Sequence, residues 1–345
     1  MDIFSIFTLC GGLAFFLYGM TTMSKSLEKM AGGKLERILK RMTSNPLKSL
    51  LLGAGITIAI QSSSAMTVML VGLVNSGVME LGQTIGVIMG SNIGTTLTAW
   101  ILSLTGIQSE NVFVNLLKPE NFSPVIALAG IILIMGSKKQ RRRDVGRIMV
   151  GFSILMYGME LMKNAVSPLA DMPEFSNLLT AFNNPLLGVA VGAVFTGIIQ
   201  SSAASVGILQ ALALTGSITY GMAIPIIMGQ NIGTCVTALI SAIGVSRNAK
   251  RVSAIHISFN VIGTVVCLIL FYGGNLLFHF SFMTAPVGAV GIAFCHTVFN
   301  VLTTLLLLPF SRQLEKLARR MVKSESKAEQ FAFLDPRLLR TPGVA

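Results

Sequence analysis

AIQSSSAMTVML, residues 59–70, and IIQSSAASVGIL, residues 198–209, together decide how this chain folds. Each sets a small polar cluster inside an otherwise apolar run, and their glutamines, Gln61 and Gln200, stand 139 positions apart. The same offset joins Tyr18 to Tyr157, Gly90 to Gly229 and Asn92 to Asn231. Laying 45–101 on 184–240 needs no gap and gives 26 identities in 57 pairs. Apolar helices that resemble one another by chance do not hold one register so long. The chain contains a duplicated unit, and internal duplication is a mark of secondary transporters.

Composition fixes the solvent. Of 345 residues, 52% are hydrophobic and only 12% charged, about half the charge of a soluble domain. Apolar runs long enough for a bilayer recur throughout, so the expected class is an all-α integral membrane protein. The net charge of +12 does not mark a nucleic-acid binder. Of the 26 Lys and Arg, 24 fall in four blocks, 25–48, 138–147, 247–251 and 312–340. Such blocks between apolar spans mark cytoplasmic loops. Cys10, Cys235, Cys267 and Cys295 lie in apolar segments without paired spacing and read as small core residues. The run Ile3 to Met23 has no basic leader or cleavage site, and reads as a first membrane helix rather than a signal peptide.

The segments flanking the first motif, 46–60 and 62–76, hold about 15 residues each, or ~22 Å as helix. That is too short to cross yet long enough to pass the midplane. The expectation is a re-entrant hairpin over 46–76 with Gln-Ser-Ser at its tip, and a second over 184–216. Full crossings before the second copy are then 3–23, 78–105 and 122–136. Three is odd, so the copies should be inverted, with about seven full crossings in all. With the N-terminus outside, all four basic blocks and the C-terminus fall in the cytoplasm of a multi-pass inner-membrane protein. The outer loops then hold Glu110, Glu120, Asp171 and Glu174 against Lys118. The organisation read from this is a first inverted repeat over 1–136 and a basic cytoplasmic loop over 137–147. A second repeat with an extra helix occupies 148–310, and a cytoplasmic tail, amphipathic at its start, runs over 311–345.

Irregular backbone at membrane depth is tolerated where protein buries it or water reaches it. At a hairpin tip the second arm begins with unpaired N–H groups and a positive dipole end, which suits an anion. The first arm ends in free carbonyls, which suit Na⁺. Ser62, Ser63, Ser201 and Ser202 add hydroxyls usable by either ion, and Gln61 and Gln200 add amides. The second paired motif, MGSNIGTTLTA (89–99) and MGQNIGTCVTA (228–238), places Gly-X-Asn-X-Gly in mid-membrane. Glycine tolerates unusual backbone, so a helix break is expected inside 78–105 and inside 219–245. Asn92, Thr95, Thr98, Asn231, Thr234 and Thr237 would supply oxygens around the breaks.

Blander readings compete. Ser, Thr and Gly often serve helix packing in membranes, but that does not account for two polar motifs recurring at one offset. A catalytic serine lacks a G-x-S-x-G elbow and a nearby base, so no enzyme is expected. His256 in HISFN and His296 in HTVFN read as His–Asn ties between neighbouring helices, narrowly ahead of a ligand role. Glu160 is either an intramembrane functional carboxylate or the ion-pair partner of Lys163. The paired motifs contain no fixed charge, and an uncompensated ion in such a site is costly. The loaded site should therefore be near neutral.

The double QSS and NIGT pattern, with its H-x-x-F-N helices, resembles the type II sodium–phosphate cotransporter family over roughly residues 5–310. The resemblance implies a Na⁺-coupled phosphate symporter working by alternating access, with Na⁺ as coupling ion and no covalent cofactor. It implies phosphate at Gln61, Ser62, Ser63, Ser64, Gln200, Ser201 and Ser202, joined by Asn92 and Asn231. Sodium would use Gln61, Ser63, Thr95, Thr98, Gln200, Ser202, Asn231, Thr234 and Thr237. Two departures stand out: Ala203 replaces the third serine of the second motif, and both H-x-x-F-N elements follow the second repeat. The ending FLDPRLLRTPGVA resembles a linker toward the PhoU-like domain of bacterial relatives. Rival readings are a dicarboxylate or sulfate symporter, a phosphate-sensing membrane subunit and an intramembrane hydrolase. A homodimer stays open.

Overall fold

The computed structural model describes residues 3–42, 45–106, 119–166, 168 and 184–323. Twelve helices are found among them: α1 Ile3–Met42, α2 Pro46–Ile60, α3 Ser63–Asn75, α4 Leu81–Ser103, α5 Pro119–Gly136 and α6 Gln140–Val166. They continue as α7 Pro185–Ile199, α8 Ser202–Ala213, α9 Tyr220–Ser241, α10 Arg247–Phe278, α11 Ala289–Leu307 and α12 Ser311–Met321. Among the described residues the only extended pairing is an isolated bridge between Thr219 and Pro286. Glu110, Lys118, Asp171, Glu174 and the tail beyond 323 lie outside the described residues.

Among the described residues six helical stretches are long and apolar enough to cross a membrane: Ile3–Met30, Leu81–Ser103, Gln140–Val166, Tyr220–Ser241, Arg247–Phe278 and Ala289–Met321. The seventh expected crossing corresponds to the shorter apolar helix Asn121–Gly136, which falls below a spanning length. The first crossing does not stop at residue 23. α1 runs on to Met42, so that Lys25 to Arg41 of the first basic block, expected as a loop, lie on a helix.

The duplication is visible in the packing. α2 and α3 form a two-armed unit seated on α4, and α7 and α8 form its counterpart beside α9. Asn45 and Asn184 cap α2 and α7 alike, each side chain accepting the N–H two residues on, with proline at the first helical turn. Each unit ends at a left-handed glycine, Gly77 at φ 71° and Gly216 at φ 75°, a conformation a side chain would strain.

The long helices α4 and α9 correct one expectation. Both run unbroken through Gly-X-Asn-X-Gly. The glycines there remove bulk from an interface. A Cβ on Gly90 would overlap the Leu50 carbonyl, and one on Gly229 the Val189 carbonyl. Gly94 and Gly233 take in the Ala54 and Ala193 carbonyls in the same way. Small residues four apart let two membrane helices approach to backbone contact. One neighbouring pair has exchanged sizes: Ser49 faces Gly86 in the first copy, and Gly188 faces Pro225 in the second.

α1 and α6 cross at four glycines. A Cβ at Gly12 would lie 3.0 Å from Gly158 O, and one at Gly151 would lie 2.9 Å from Gly19 O. The helices are therefore antiparallel. At the offset of 139, Gly151 is the counterpart of Gly12 and Gly158 that of Gly19. Position i of one copy meets position j of the other, and j meets i, which is the contact pattern of a two-fold axis. On the basic side the crossing is also tied by Lys29 Nζ, 3.4 Å from the buried Asp144 Oδ1, which Arg147 and Gln140 also bind at 2.9 Å.

Candidate functional site

Each two-armed unit turns at its motif through the same pair of conformations. α2 ends at Gln61 with φ 54° and ψ 31°, and its N–H donates to Thr57 O at 2.7 Å. Ser62 is extended, φ −150°, and its Oγ accepts the Ala65 N–H at 3.1 Å to cap α3. In the second copy Gln200 has φ 58° and ψ 23°, with its N–H on Thr196 O at 2.7 Å. Ser201, φ −143°, accepts the Ala204 N–H at 3.2 Å and caps α8. A left-handed residue with a side chain costs roughly 1–3 kcal/mol, which glycine would avoid. That both copies keep glutamine there points to a use for its amide.

The two turns face one polar cavity. It is lined by Gln61, Ser62, Ser63 and Ser64 from the first, and by Gln200, Ser201, Ser202 and Ala203 from the second. α4 adds Thr95 and Thr98, and α1 adds Met20, Thr21, Ser24, Lys25 and Glu28. The turns touch where Ser64 Oγ donates to Gln200 O at 3.4 Å. Ser24 Oγ donates to Gln61 O at 3.3 Å, and Thr237 Oγ1 to Gln200 O at 3.5 Å. The Gln61 side chain is held: Thr98 Oγ1 donates to its Oε1 at 2.8 Å and its Nε2 donates to Ile58 O at 2.6 Å. The first N–H groups of α3 and α8, with no helical carbonyl to pair with, open onto a site rich in hydroxyls.

The cavity thus gathers Gln61, Ser62, Ser63, Ser64, Thr95, Thr98, Gln200, Ser201 and Ser202 of the expected set. It does not take in Asn92, Asn231, Thr234 or Thr237. Without a helix break, Asn92 sits about 120° around α4 from Thr98 and is buried, as is Asn231, whose Nδ2 donates to Ile227 O at 3.0 Å. Thr234 donates to Gln230 O at 2.9 Å. His256 and His296 are also buried outside the cavity, each with its carbonyl bonded by an asparagine, Asn260 or Asn300, four residues on. Glu160 pairs with Lys163 at 3.3 Å, away from the cavity.

Sequence reasoning missed the α1 wall. Lys25 and Glu28 put two fixed charges beside motifs that carry none, and neither takes part in an ion pair among the described residues. Thr21, Ser24, Lys25 and Glu28 follow the i, i+3, i+4, i+7 spacing of one helix face. That signal was present, but it ran into a block assigned to a loop.

Comparison with known proteins places the chain in a family. The chain is 29% identical over 314 residues to an uncharacterized protein, YqeW, of Bacillus subtilis, covering 91% of this chain and 97% of that one. It is 24% identical over 341 residues to the putative inorganic phosphate export protein YjbB of Escherichia coli K12, covering 98% of this chain but only 60% of that protein. Over 99 residues it is 36% identical to the rat sodium-dependent phosphate transport protein 2A, covering 28% of this chain and 15% of that one. No solved structure matches it. One family model, described as Na⁺/Pi-cotransporter, matches twice, over residues 15–164 and 154–292. The chain, a multi-pass membrane protein, belongs to the Na⁺/Pi-cotransporter family.

Proposed function

We propose that the chain moves inorganic phosphate across the membrane in company with Na⁺, by alternating access to one site between the two Gln-Ser-Ser turns. The observation that carries this reading is the shared cavity: residues 139 positions apart line one space, with hydroxyls, amides and two helix N-termini around it. A dianion there would be met by the N–H groups of α3 and α8, by serine hydroxyls and by Lys25. Sodium would use the Gln61 and Gln200 carbonyls, Thr95, Thr98 and Glu28. Lys25 and Glu28 cancel in charge, so a near-neutral load of HPO₄²⁻ and two Na⁺ still suits the site.

The two units are read as re-entrant hairpins in inverted repeats. Their arms are too short to cross, and the reciprocal α1–α6 crossing has the two-fold pattern that inversion requires. With the basic blocks on the cytoplasmic side, the Lys25–Glu28 mouth opens inward. Net direction in the cell follows the gradients; the Escherichia coli relative is named for export. A serine hydrolase finds no support here, since Ser62 and Ser201 are spent as helix caps.

The test is uptake of labelled phosphate by purified protein in liposomes. Phosphate accumulation that requires a Na⁺ gradient and is not competed by succinate or sulfate is expected. Tight binding without flux would instead mark a sensor, and preference for succinate or sulfate a different symporter.

A further inference from the structure

Cavity residues contributed by the turns come in matched pairs: Gln61 with Gln200, Ser62 with Ser201, Ser63 with Ser202, Ser64 with Ala203. Those contributed by the walls do not. The counterparts of Met20, Thr21, Ser24 and Lys25 are Met159, Glu160, Lys163 and Asn164, and none of these reaches the cavity. The α4 threonines repeat the pattern, since Thr95 and Thr98 line the cavity while Thr234 and Thr237 do not. The binding surfaces therefore lie to both sides of the internal two-fold, whereas the mouth lies on one side only.

The α6 side is sealed by packing. α8 rests on α6, whereas its counterpart α3 has no comparable packing on α1. Phe16, Leu155, Met156, Met159 and Ala204 close this region, all at 2% exposure or less. Gly207 of α8 leaves room for the Phe16 ring, which would lie 2.7 Å from a Cβ at that position. Methionines make this seal easy to repack.

The two walls also differ in the state of their charges. At the open mouth Lys25 and Glu28 take part in no ion pair among the described residues. At the sealed position Glu160 and Lys163 neutralise each other at 3.3 Å while keeping 24% and 32% of their side-chain surface exposed. Each wall thus holds one acid and one base three residues apart, in opposite order.

We infer that Glu160 and Lys163 form the vestibule of a second mouth to the same site, closed in this conformation. Lys163 would receive the phosphate oxyanion there and Glu160 would attract Na⁺, as Lys25 and Glu28 do on the open side. Opening requires α8 to leave α6, which separates the ion pair from its seal and exposes both charges to arriving ions. This rests on the alternating-access reading above.

The experiment measures phosphate KM separately from each face, in liposomes of defined protein orientation. Lys163→Gln should raise KM roughly tenfold for phosphate presented on the face opposite Lys25, the loss expected for one charge-assisted contact. KM from the Lys25 face should stay within twofold. Lys25→Gln should do the reverse, and Lys163→Arg should restore most of the affinity. Transport that persists with both KM values unchanged in Lys163→Gln overturns the inference and leaves the symport reading intact. Were the wild type to move no phosphate at all, the symport reading would fall, and a second measurement would judge the vestibule. Glu160→Cys in a cysteine-free background should react with a membrane-impermeant methanethiosulfonate at a rate that changes severalfold on adding Na⁺. A rate indifferent to Na⁺ and to phosphate marks a static surface pair and overturns the inference.

Discussion

The two Gln-Ser-Ser turns reverse the chain with the same residues in the same conformations, glutamine at φ 54° and 58°, serine at φ −150° and −143°. Their surroundings have separated. The Gln61 side chain is clamped by Thr98 and Ile58 O, and its carbonyl is taken by Ser24. No hydrogen bond holds the Gln200 side chain among the described residues, and its carbonyl is shared by Ser64 and Thr237. Turn geometry follows from local sequence, so repeating the sequence repeated the turn. What each amide is available to do depends on neighbours outside the motif. Gln61 is built into the wall, and on the function proposed above Gln200 is the amide left to meet a ligand.

The harshest way to break the pairing of the copies is to unseat a unit from its long helix. Gly90→Leu or Gly229→Leu forces a side chain into a backbone contact, a change costing ~3 kcal/mol or more. Neither variant should yield monodisperse protein on gel filtration. Gly55→Val should behave as wild type, since Gly55 has no neighbour within 4 Å of a Cβ and its counterpart is already Val194. If Gly90→Leu folds normally, the packing account of the second motif is wrong.

The turns themselves are tested next. Gln200→Ala should weaken phosphate binding roughly 5- to 150-fold, the range for losing one hydrogen-bonding partner in a buried polar site. Gln200→Gly adds a sharper check. It should lose the same affinity while raising thermal stability by about 1 kcal/mol through relief of the left-handed residue. Gln61→Gly should gain less, because it also strands the Thr98 hydroxyl. Equal thermal gains in both would deny the difference in anchoring drawn above.

How much of this could be read in advance differs between motif and wall. The turns were legible because polar residues in an apolar run have few innocent explanations, and a second copy removed most of them. The unbroken α4 was not, because glycine serves equally to bend a helix and to admit a neighbour, and sequence alone does not say which. The identity of the neighbour decides it, here the Leu50 and Val189 carbonyls. Lys25 and Glu28 escaped for another reason: basic residues after an apolar span are usually a loop, and nothing local announces that α1 continues straight through them.

Those two charges give the third test. Initial phosphate uptake in wild-type liposomes should respond little to an inside-negative valinomycin potential. Glu28→Gln leaves the loaded site with one unbalanced positive charge, worth up to ~2.3 kcal/mol per 100 mV, and should make uptake respond severalfold. A wild type already responding severalfold would refute the neutral load. The smallest effect should come from Ala203→Ser, which restores the third serine of the second motif. The Ser64–Gln200 bond would gain its mirror image on Gln61 O, where Ser24 is already seated, so affinity should change by less than ~1 kcal/mol.

The glycine crossing of α1 and α6 has a consequence for how the molecule could vary. Between separate half-length chains, that contact would be an isologous dimer interface, the same surface offered twice. Each half would then have to serve both roles, and any substitution would appear on both sides at once. Joined in one chain, the halves meet at an effective concentration on the order of millimolar whatever their affinity, and identity is no longer required of them. Lys25 opposite Asn164, Ser64 opposite Ala203 and Gly86 opposite Pro225 are the freedoms that covalent linkage permits. They would let the two approaches to the proposed site be tuned separately, which no symmetric pair of chains can do.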